Sequence, residues 1–265
     1  MRSFLIPLLA LPAMAHSLYL MPQKFRTAPG DTLVLSIQNG DSFPEGDGAP
    51  VLQRLRDCVL VSVRNSTAIA DLRIEGKAAQ ATTRTGGAGT YWLAVRTIPN
   101  FLTLDPAAFE TYLKEEGLDA ALRYRAEHGE SGKPSRELYS KFAKSLVVAS
   151  APDGAWSKVL GHEFEFIPDA DPAALKPGGA LPVRLLWRGQ PAAGIQVESA
   201  WAAGGANGVA VVGRTDREGR ISVPIDRAGK WRLHAVTMER TTGSKEADWV
   251  SFWASMTFEV TEPRP

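Results

Sequence analysis

The stretch LPVRLLWRGQPAAGIQVESA, residues 181–200, decides the fold of this chain. Leu181 to Trp187 is a run rich in apolar residues, Arg188 to Pro191 is rich in turn-forming residues, and Gly194 to Ala200 is a second run in which apolar Ile195 and Val197 alternate with polar residues. Two such runs with a short polar segment between them predict two β-strands joined by a turn.

The same pattern continues to the end of the sequence. TDREGRISVPI (215–225) and AGKWRLHAV (228–236) each place a turn before a strand, and Phe252 to Val260 adds a last one. About seven short strands over about 90 residues are typical of an immunoglobulin-like or transthyretin-like β-sandwich. Tryptophans are frequent here, and we expect Trp231 and Trp253 in the core and Trp249, in a polar segment, at the surface.

The N-terminal region repeats this organisation. Strands are predicted at Thr32–Ile37, Cys58–Val63 and Tyr91–Val95, and the glycines of Gly86–Gly89 predict a hairpin turn before the third. The single cysteine, Cys58, lies in an apolar run and is expected to be a buried core thiol. One cysteine excludes an internal disulfide.

Between these regions the spacing of apolar residues changes to that typical of helices. Asp105-Pro106 is an N-cap followed by proline at the first helical position. Ser135–Ser145 is predicted as a second helix, because Leu138, Phe142 and Leu146 recur every four residues. The interpretation is a helical insertion over about 105–145, carried on a β domain.

Pro168–Pro172 consists of turn-forming residues without apolar periodicity, and it is the best candidate for a domain boundary. The sequence therefore predicts a mainly β protein with two β-sandwich domains. Residues 16–168 form the first, with the helical insertion, and residues 169–265 form the second.

Residues 1–15 are predicted to be a signal peptide. Arg2 precedes the apolar run Phe4–Leu11, and Ala13-Met14-Ala15 supplies the small residues of a cleavage site. The run is too short to span a bilayer, and no later stretch is apolar enough. We expect a periplasmic or secreted protein whose mature chain begins with His16.

Composition limits the partners. Hydrophobic residues make up 44% and charged residues 22% of the 265 residues, which is a globular composition. Cleavage removes Arg2 from the 30 basic residues and no acid from the 29 acidic ones, so the mature chain carries 29 of each. This balance argues against nucleic acid and against a polybasic membrane anchor.

Several segments resemble those of the NikM-like periplasmic family, which is associated with nickel uptake. They are AHSLYLMPQKFRTAPGDTL at 15–33, FETYLKEEGLDAAL at 109–122, RELYSKFAKSLV at 136–147, FEFIPDADPAALKPGGALPVRLLWRGQP at 164–191 and ADWVSFWASMTFEV at 247–260. The segments GQPAAGIQV at 189–197, TDREGRISVPI at 215–225 and AGKWRLHAV at 228–236 resemble a carboxypeptidase-regulatory, transthyretin-like sandwich. The resemblance implies two β-sandwich modules with a helical insert and a role in handling nickel or cobalt. The family's acidic residue after the first histidine is replaced here by Ser17-Leu18-Tyr19.

His16 is the clearest candidate metal ligand. Its free α-amine and its imidazole Nδ1 atom can chelate one ion, and an amine with a pKa of about 7.7–8.0 releases its proton to a metal near neutral pH. Amine and imidazole nitrogens favour nickel, cobalt, copper or zinc over calcium or magnesium. The alternative is that signal-peptide cleavage happens to leave a histidine first.

The other histidines are candidate second ligands. His234 lies in a predicted strand on the face opposite Leu233 and Ala235, and His162 lies at a strand start beside Glu163. His128, in a charged loop, is more simply a solvated residue. No HxH, HExxH or CxxC spacing occurs, and neither does a GxSxG elbow or a phosphate-binding loop, so no catalytic residue is predicted.

Three hypotheses about function follow. The leading one is an exported, non-catalytic protein that captures or delivers a transition metal through His16, with His234 or His162. The second is an interaction module whose strand edges and loops contact a membrane transporter or receptor. The third is a copper oxygenase with a histidine-first site, which would need a second imidazole and an open coordination position.

Overall fold

A computed structural model describes residues 16–262 of the chain. Helices α1 (Pro106–Glu115) and α2 (Asp119–Glu127) form a hairpin, and one-turn 3₁₀ helices span Leu52–Arg54, Gly154–Ser157 and Pro172–Ala174. The strands are β1 Leu18–Pro22, β2 Arg26–Thr27, β3 Thr32–Asn39, β4 Leu55–Val61, β5 Ser66–Ala68, β6 Arg73–Glu75, β7 Ala78–Arg84, β8 Gly89–Thr97, β9 Asn100–Leu104, β10 Ser135–Ala149, β11 Phe164–Pro168, β12 Gly179–Trp187, β13 Gln190–Pro191, β14 Gln196–Ala203, β15 Ala206–Arg214, β16 Arg220–Ile225, β17 Gly229–Arg240 and β18 Trp249–Val260.

These strands form three sheets. A ten-stranded sheet has the order β15-β14-β17-β18-β10-β8-β4-β5, and β2 and β9 also pair with β10. One four-stranded sheet, β1-β3-β7-β6, belongs to the N-terminal sandwich. The other joins β11, β12, β13 and β16 and belongs to the C-terminal sandwich. The prediction of a mainly β protein built of sandwiches, with a helical insertion, is confirmed.

Strand β10 is shared by the two sandwiches. On one of its faces, Phe142 and Leu146 belong to the C-terminal core, together with Phe166 and Leu185. On its other face, Ala143, Val147 and Ala149 belong to the N-terminal core. Because successive strand residues point to opposite faces, one strand supplies both cores when both of its faces are covered.

The predicted helix over Ser135–Ser145 is therefore wrong, since these residues are the first part of β10. Leu138, Phe142 and Leu146 are four residues apart, and a spacing of four keeps side chains on one face of a strand as well as of a helix. The opposite face is also buried, so no alternation of apolar and polar residues marks the strand.

The helical insertion is confined to α1 and α2 and packs on the ten-stranded sheet. The carboxylate of Asp105 caps α1 by accepting a hydrogen bond from the Ala108 backbone N–H at 2.8 Å. Phe109 lies under the helices with its ring centroid 6.4 Å from that of Trp249. The prediction of an exposed Trp249 is wrong, because the helix hairpin covers this end of β18 and leaves its side chain 2% exposed.

Contacts cross the predicted domain boundary. β10 pairs in parallel with β18, and β11, before the boundary, pairs with β12, after it. The division into residues 16–168 and 169–265 stays a prediction, and the two parts share one sheet. Cys58 is buried in the N-terminal core, where burial raises the pKa of its thiol to about 12. Over residues 16–262, none of the helices has the length and apolar character needed to cross a membrane.

Candidate functional site

The N-terminal segment is fixed on the ten-stranded sheet by hydroxyl groups of the last strand. The Ser255 and Thr257 hydroxyls donate to the carbonyl oxygens of Leu18 and Leu20, each at 2.6 Å. The Ser17 carbonyl oxygen accepts from the Gly40 backbone N–H at 2.9 Å. His16 and Ser17 are thereby held beside the centre of β17 and β18.

His16 contacts a carboxylate in the loop after β3. Its Nδ1 atom lies 2.9 Å from the Asp41 Oδ2 atom, and the Ser17 backbone N–H donates to Asp41 Oδ1 at 3.4 Å. The two side chains are 37% and 56% exposed, so the pair is accessible from solvent. A carboxylate only accepts hydrogen bonds, so the Nδ1 atom of His16 carries the proton in this arrangement.

His234 lies on β17 next to this segment. Its ring is 4% exposed and stands between the N-terminal segment and helix α1. Its Nε2 atom lies 3.2 Å from Glu116 Oε2 at the C-cap of α1, and its Nδ1 atom lies 3.3 Å from Ser17 Oγ. Because the Glu116 carboxylate accepts a hydrogen bond from Nε2–H, a neutral His234 presents its Nδ1 lone pair to the N-terminal segment.

Lys141, on β10, binds the backbone of His16 through a hydrogen bond. Its ammonium group donates to the His16 carbonyl oxygen and, at 3.0 Å, to Asn39 Oδ1. The side chain is 5% exposed, and burial lowers the pKa of Lys141 to about 8. A buried cation is thus used to fix the position of residue 16.

A cavity of about 410 Å³ opens between helix α1 and the sheet at this point. Four carboxylates, one guanidinium, one imidazole and two aromatic rings contribute to its wall. The residues lining it are Ser17, Asp41, Leu104, Ala108, Tyr112, Glu115, Glu116, Glu198, Val209, Arg232, His234 and Trp253.

Two aromatic rings of the wall stack on each other, and the His234 ring lies beside them. The Tyr112 and Trp253 rings are nearly parallel, with an interplanar angle of 9° and centroids 5.6 Å apart, and the His234 ring lies 5.5 Å from Trp253. The Tyr112 hydroxyl donates to Glu137 Oε1 at 3.1 Å. Burial raises the pKa of Glu137 to about 7.

Arg232 forms the base of the cavity beside His234. Its Nη2 atom donates to Glu198 Oε1 at 3.1 Å, and its side chain is 2% exposed. Within residues 16–262 its Nε and Nη1 atoms have no hydrogen-bond partner, and the guanidinium carbon lies 5.2 Å from the Tyr19 ring centroid and 5.8 Å from that of Phe43. Aromatic faces therefore stabilise part of this charge.

The structure brings two of the predicted ligands together and separates the third. His234 contacts Ser17, the residue after His16, whereas His162 packs on the opposite face of β10, with its ring centroid 5.6 Å from that of Phe142. Burial there lowers the pKa of His162 to about 4. His128, at the C-cap of α2, stacks on Tyr124 with centroids 3.9 Å apart and lies outside the cavity.

Sequence reasoning missed Asp41, Glu116, Lys141 and Arg232. Asp41 and Glu116 lie 25 and 118 positions from the histidines they contact, and no local spacing predicts such pairs. A usable signal existed for Lys141, because a lysine within the apolar run of a strand must find a polar partner. Across residues 16–262, no three His, Cys, Asp or Glu side chains group as a metal site.

Comparisons with known proteins place the chain in a family. A family model described as "Domain of unknown function (DUF4198)" matches residues 13–239. The chain therefore belongs to this family. A comparison with curated protein sequences finds no match.

Three solved structures that match this chain are distant from it in sequence. The Yersinia pseudotuberculosis adhesin InvE is 15% identical over 91% of this chain and 58% of that chain, with a TM-score of 0.23. The D0-D1 domain of intimin is 13% identical over 91% and 97%, with a TM-score of 0.22. FdeC, an Escherichia coli adhesin, is 14% identical over 95% and 65%, with a TM-score of 0.24. At these values the matches carry no argument about function.

Proposed function

We propose that this protein is an exported, non-catalytic binding protein that captures a transition-metal ion at His16 after cleavage behind Ala15. The proposed donors are the α-amine and Nδ1 atom of His16, with Asp41 beside them and His234 on the other side of Ser17. The observation that carries the proposal is the convergence of these side chains on residues 16 and 17, each from a different part of the chain.

The His16–Asp41 contact has a spacing suited to two ligands of one ion. Metal–imidazole and metal–carboxylate bonds are about 2.0–2.1 Å long, so two such ligands at a right angle lie about 2.9 Å apart. The observed separation of His16 Nδ1 and Asp41 Oδ2 is 2.9 Å. A metal would replace the shared proton, so its affinity falls as the pH is lowered.

The His234–Glu116 contact has the form of a histidine oriented by a carboxylate. Such a carboxylate fixes the tautomer and ring direction of a metal-binding histidine and increases its basicity. Here Glu116 leaves the Nδ1 lone pair of His234 facing Ser17. The resemblance to nickel-uptake proteins makes nickel and cobalt the first ions to test, and the nitrogen donors suit copper and zinc equally.

The test is calorimetric titration with nickel, cobalt, copper and zinc of protein that begins at His16. The proposal expects binding of one ion per chain, which is lost when one glycine is added before His16. Glu116→Gln, which keeps the shape of the side chain, is expected to weaken binding about 10–100-fold. Equal binding by the native and glycine-extended chains would overturn the His16 site.

Two matched controls use the other histidines. His128→Ala and His162→Gln lie outside the cavity and are expected to leave metal affinity unchanged. A loss of binding in His162→Gln would move the site to the opposite face of β10. The non-catalytic part of the proposal expects no oxygen consumption by the copper-loaded protein with ascorbate beyond that of a free copper chelate.

A further inference from the structure

Most edge strands of the three sheets carry a device that prevents pairing with other chains. β6 contains Arg73 and Glu75, β5 has three residues, and β13 has two. β11 ends in Pro168, and β16 contains Arg220 and Pro224. Charges, prolines and short length are the usual means of blocking an open edge.

β15 has none of these three features, and its one irregularity is a β-bulge near its C-terminal end, where Val212 is left out of the pairing with β14. Its sequence is ANGVAVVGR, nine residues in which Arg214, at the end, is the only charge and no proline occurs. It pairs with β14 on one side, and it is the terminal strand of the ten-stranded sheet. Over residues 206–211, before the bulge, every second residue directs its N–H and C=O groups away from the sheet.

The side chains of β15 are also uncovered. Val209 is 61% exposed and Val211 is 58% exposed, and two residues apart they lie on the same face. Both valines have a larger exposed fraction than the other exposed large apolar residues among residues 16–262, such as Val63 at 53%. An open backbone edge and two exposed valines thus coincide on one strand.

We propose that β15 pairs in an antiparallel manner with β15 of a second copy of this chain. Residues 206–213 carry no charge that would oppose their own copy, and an identical antiparallel strand places valine and alanine against valine and alanine across a two-fold axis. The Arg214 side chains then lie at opposite ends of the pair. Each is already bound to Asp119 at 2.8 Å in its own chain, so no like charges oppose each other.

The pairing has a consequence for the cavity. Val209 lines the cavity that contains His234, so a second chain on this edge lies at the rim of that cavity. The two cavities of the dimer are then placed on either side of the same axis. This inference stands independently of the proposed metal site, because it rests on the strand edge alone.

The test is the oligomeric state of protein beginning at His16, measured by analytical ultracentrifugation over a range of concentrations. A monomer–dimer equilibrium is expected. Val211→Lys brings two positive charges close to the axis and is expected to raise the dissociation constant at least about tenfold. Val63→Lys is the matched control, an equally exposed valine away from β15, and is expected to leave the equilibrium unchanged.

Hydrogen exchange provides a second measurement that does not depend on a variant. Amide protection in residues 206–211, before the bulge, is expected to rise with protein concentration, while that of β5, at the other edge of the same sheet, stays constant. A monomer at all concentrations overturns the proposal and leaves the edge to another extended chain. A dimer that Val211→Lys does not weaken also overturns it.

Discussion

Lys141 and Lys144 lie three residues apart on β10 and are both buried, yet they have different environments because they point to opposite faces of the sheet. Lys144 donates to Glu165 at 3.0 Å, and both side chains are 2% exposed. Lys141 donates to neutral oxygens of His16 and Asn39. The first lysine completes a closed ion pair within the C-terminal sandwich, and the second holds a segment that is open to solvent.

The largest expected loss of stability comes from breaking the buried ion pair of Lys144 and Glu165. Glu165→Gln keeps the shape of the side chain but leaves the ammonium group of Lys144 without its counter-charge in a buried site. Removing one partner of a buried ion pair costs about 3–5 kcal/mol of unfolding free energy. Urea denaturation at neutral pH measures this loss, and a change below that of Lys141→Met would contradict the comparison.

Lys141→Met is expected to cost less, about 1–3 kcal/mol, because it leaves unpaired acceptors and no unpaired charge. The loss is local, so amide exchange of residues 17–20 is expected to accelerate more than that of β12. Uniform acceleration across the chain would show that Lys141 supports the whole sheet, and would remove the distinction between the two lysines.

The pH dependence of the unfolding free energy separates the contributions of Lys141 and Lys144. Burial lowers the pKa of Lys141 from 10.5 to about 8, so between these values the unfolded chain binds more protons than the folded one. The free energy of unfolding therefore rises with pH from about 8 to 10.5. Burial lowers the pKa of Lys144 as well, so Lys141→Met is expected to reduce the rise without abolishing it. Denaturation at several pH values in this window checks it; an identical slope in both proteins would contradict it.

The smallest effect is expected at the surface. Arg184 and Asp169 form an ion pair at 2.7 Å, with side chains 38% and 26% exposed. Solvent screens such pairs, so Asp169→Asn is expected to change the unfolding free energy by less than about 1 kcal/mol. The same denaturation series measures it, and a loss as large as that of Glu165→Gln would show that burial does not govern these energies.

The fold was predictable where one face of a strand is buried and the other is polar. Strands such as β3 and β12 alternate in this way, and their positions were predicted correctly. The first part of β10, Ser135–Ser145, was predicted as a helix, because two cores cover the strand and its apolar spacing of four suits a helix as well. Trp249 was misplaced for a related reason, since a helix hairpin distant in sequence covers a polar-looking segment.

The site was predictable in part. His16 and His234 could be named as candidates from their positions in the chain, and the structure places both beside Ser17. Asp41 and Glu116 hydrogen-bond to ring nitrogens of these histidines. They lie in a loop and at a helix end, and the positions of both depend on tertiary packing. Sequence patterns do not predict such contacts, because the residues that meet are far apart in the chain and follow no periodic spacing.

The hydroxyl groups of Ser255 and Thr257 have a consequence for the order of events during folding. They bind Leu18 and Leu20, partners separated from them by 237 positions. Contacts of such long separation form late, since the chain entropy of closing the intervening loop must be overcome first. A growing chain thus has its first histidine long before it has the strand that fixes it. The cavity beside Ser17, whose wall includes Trp253 of β18, is completed only when synthesis has reached that strand.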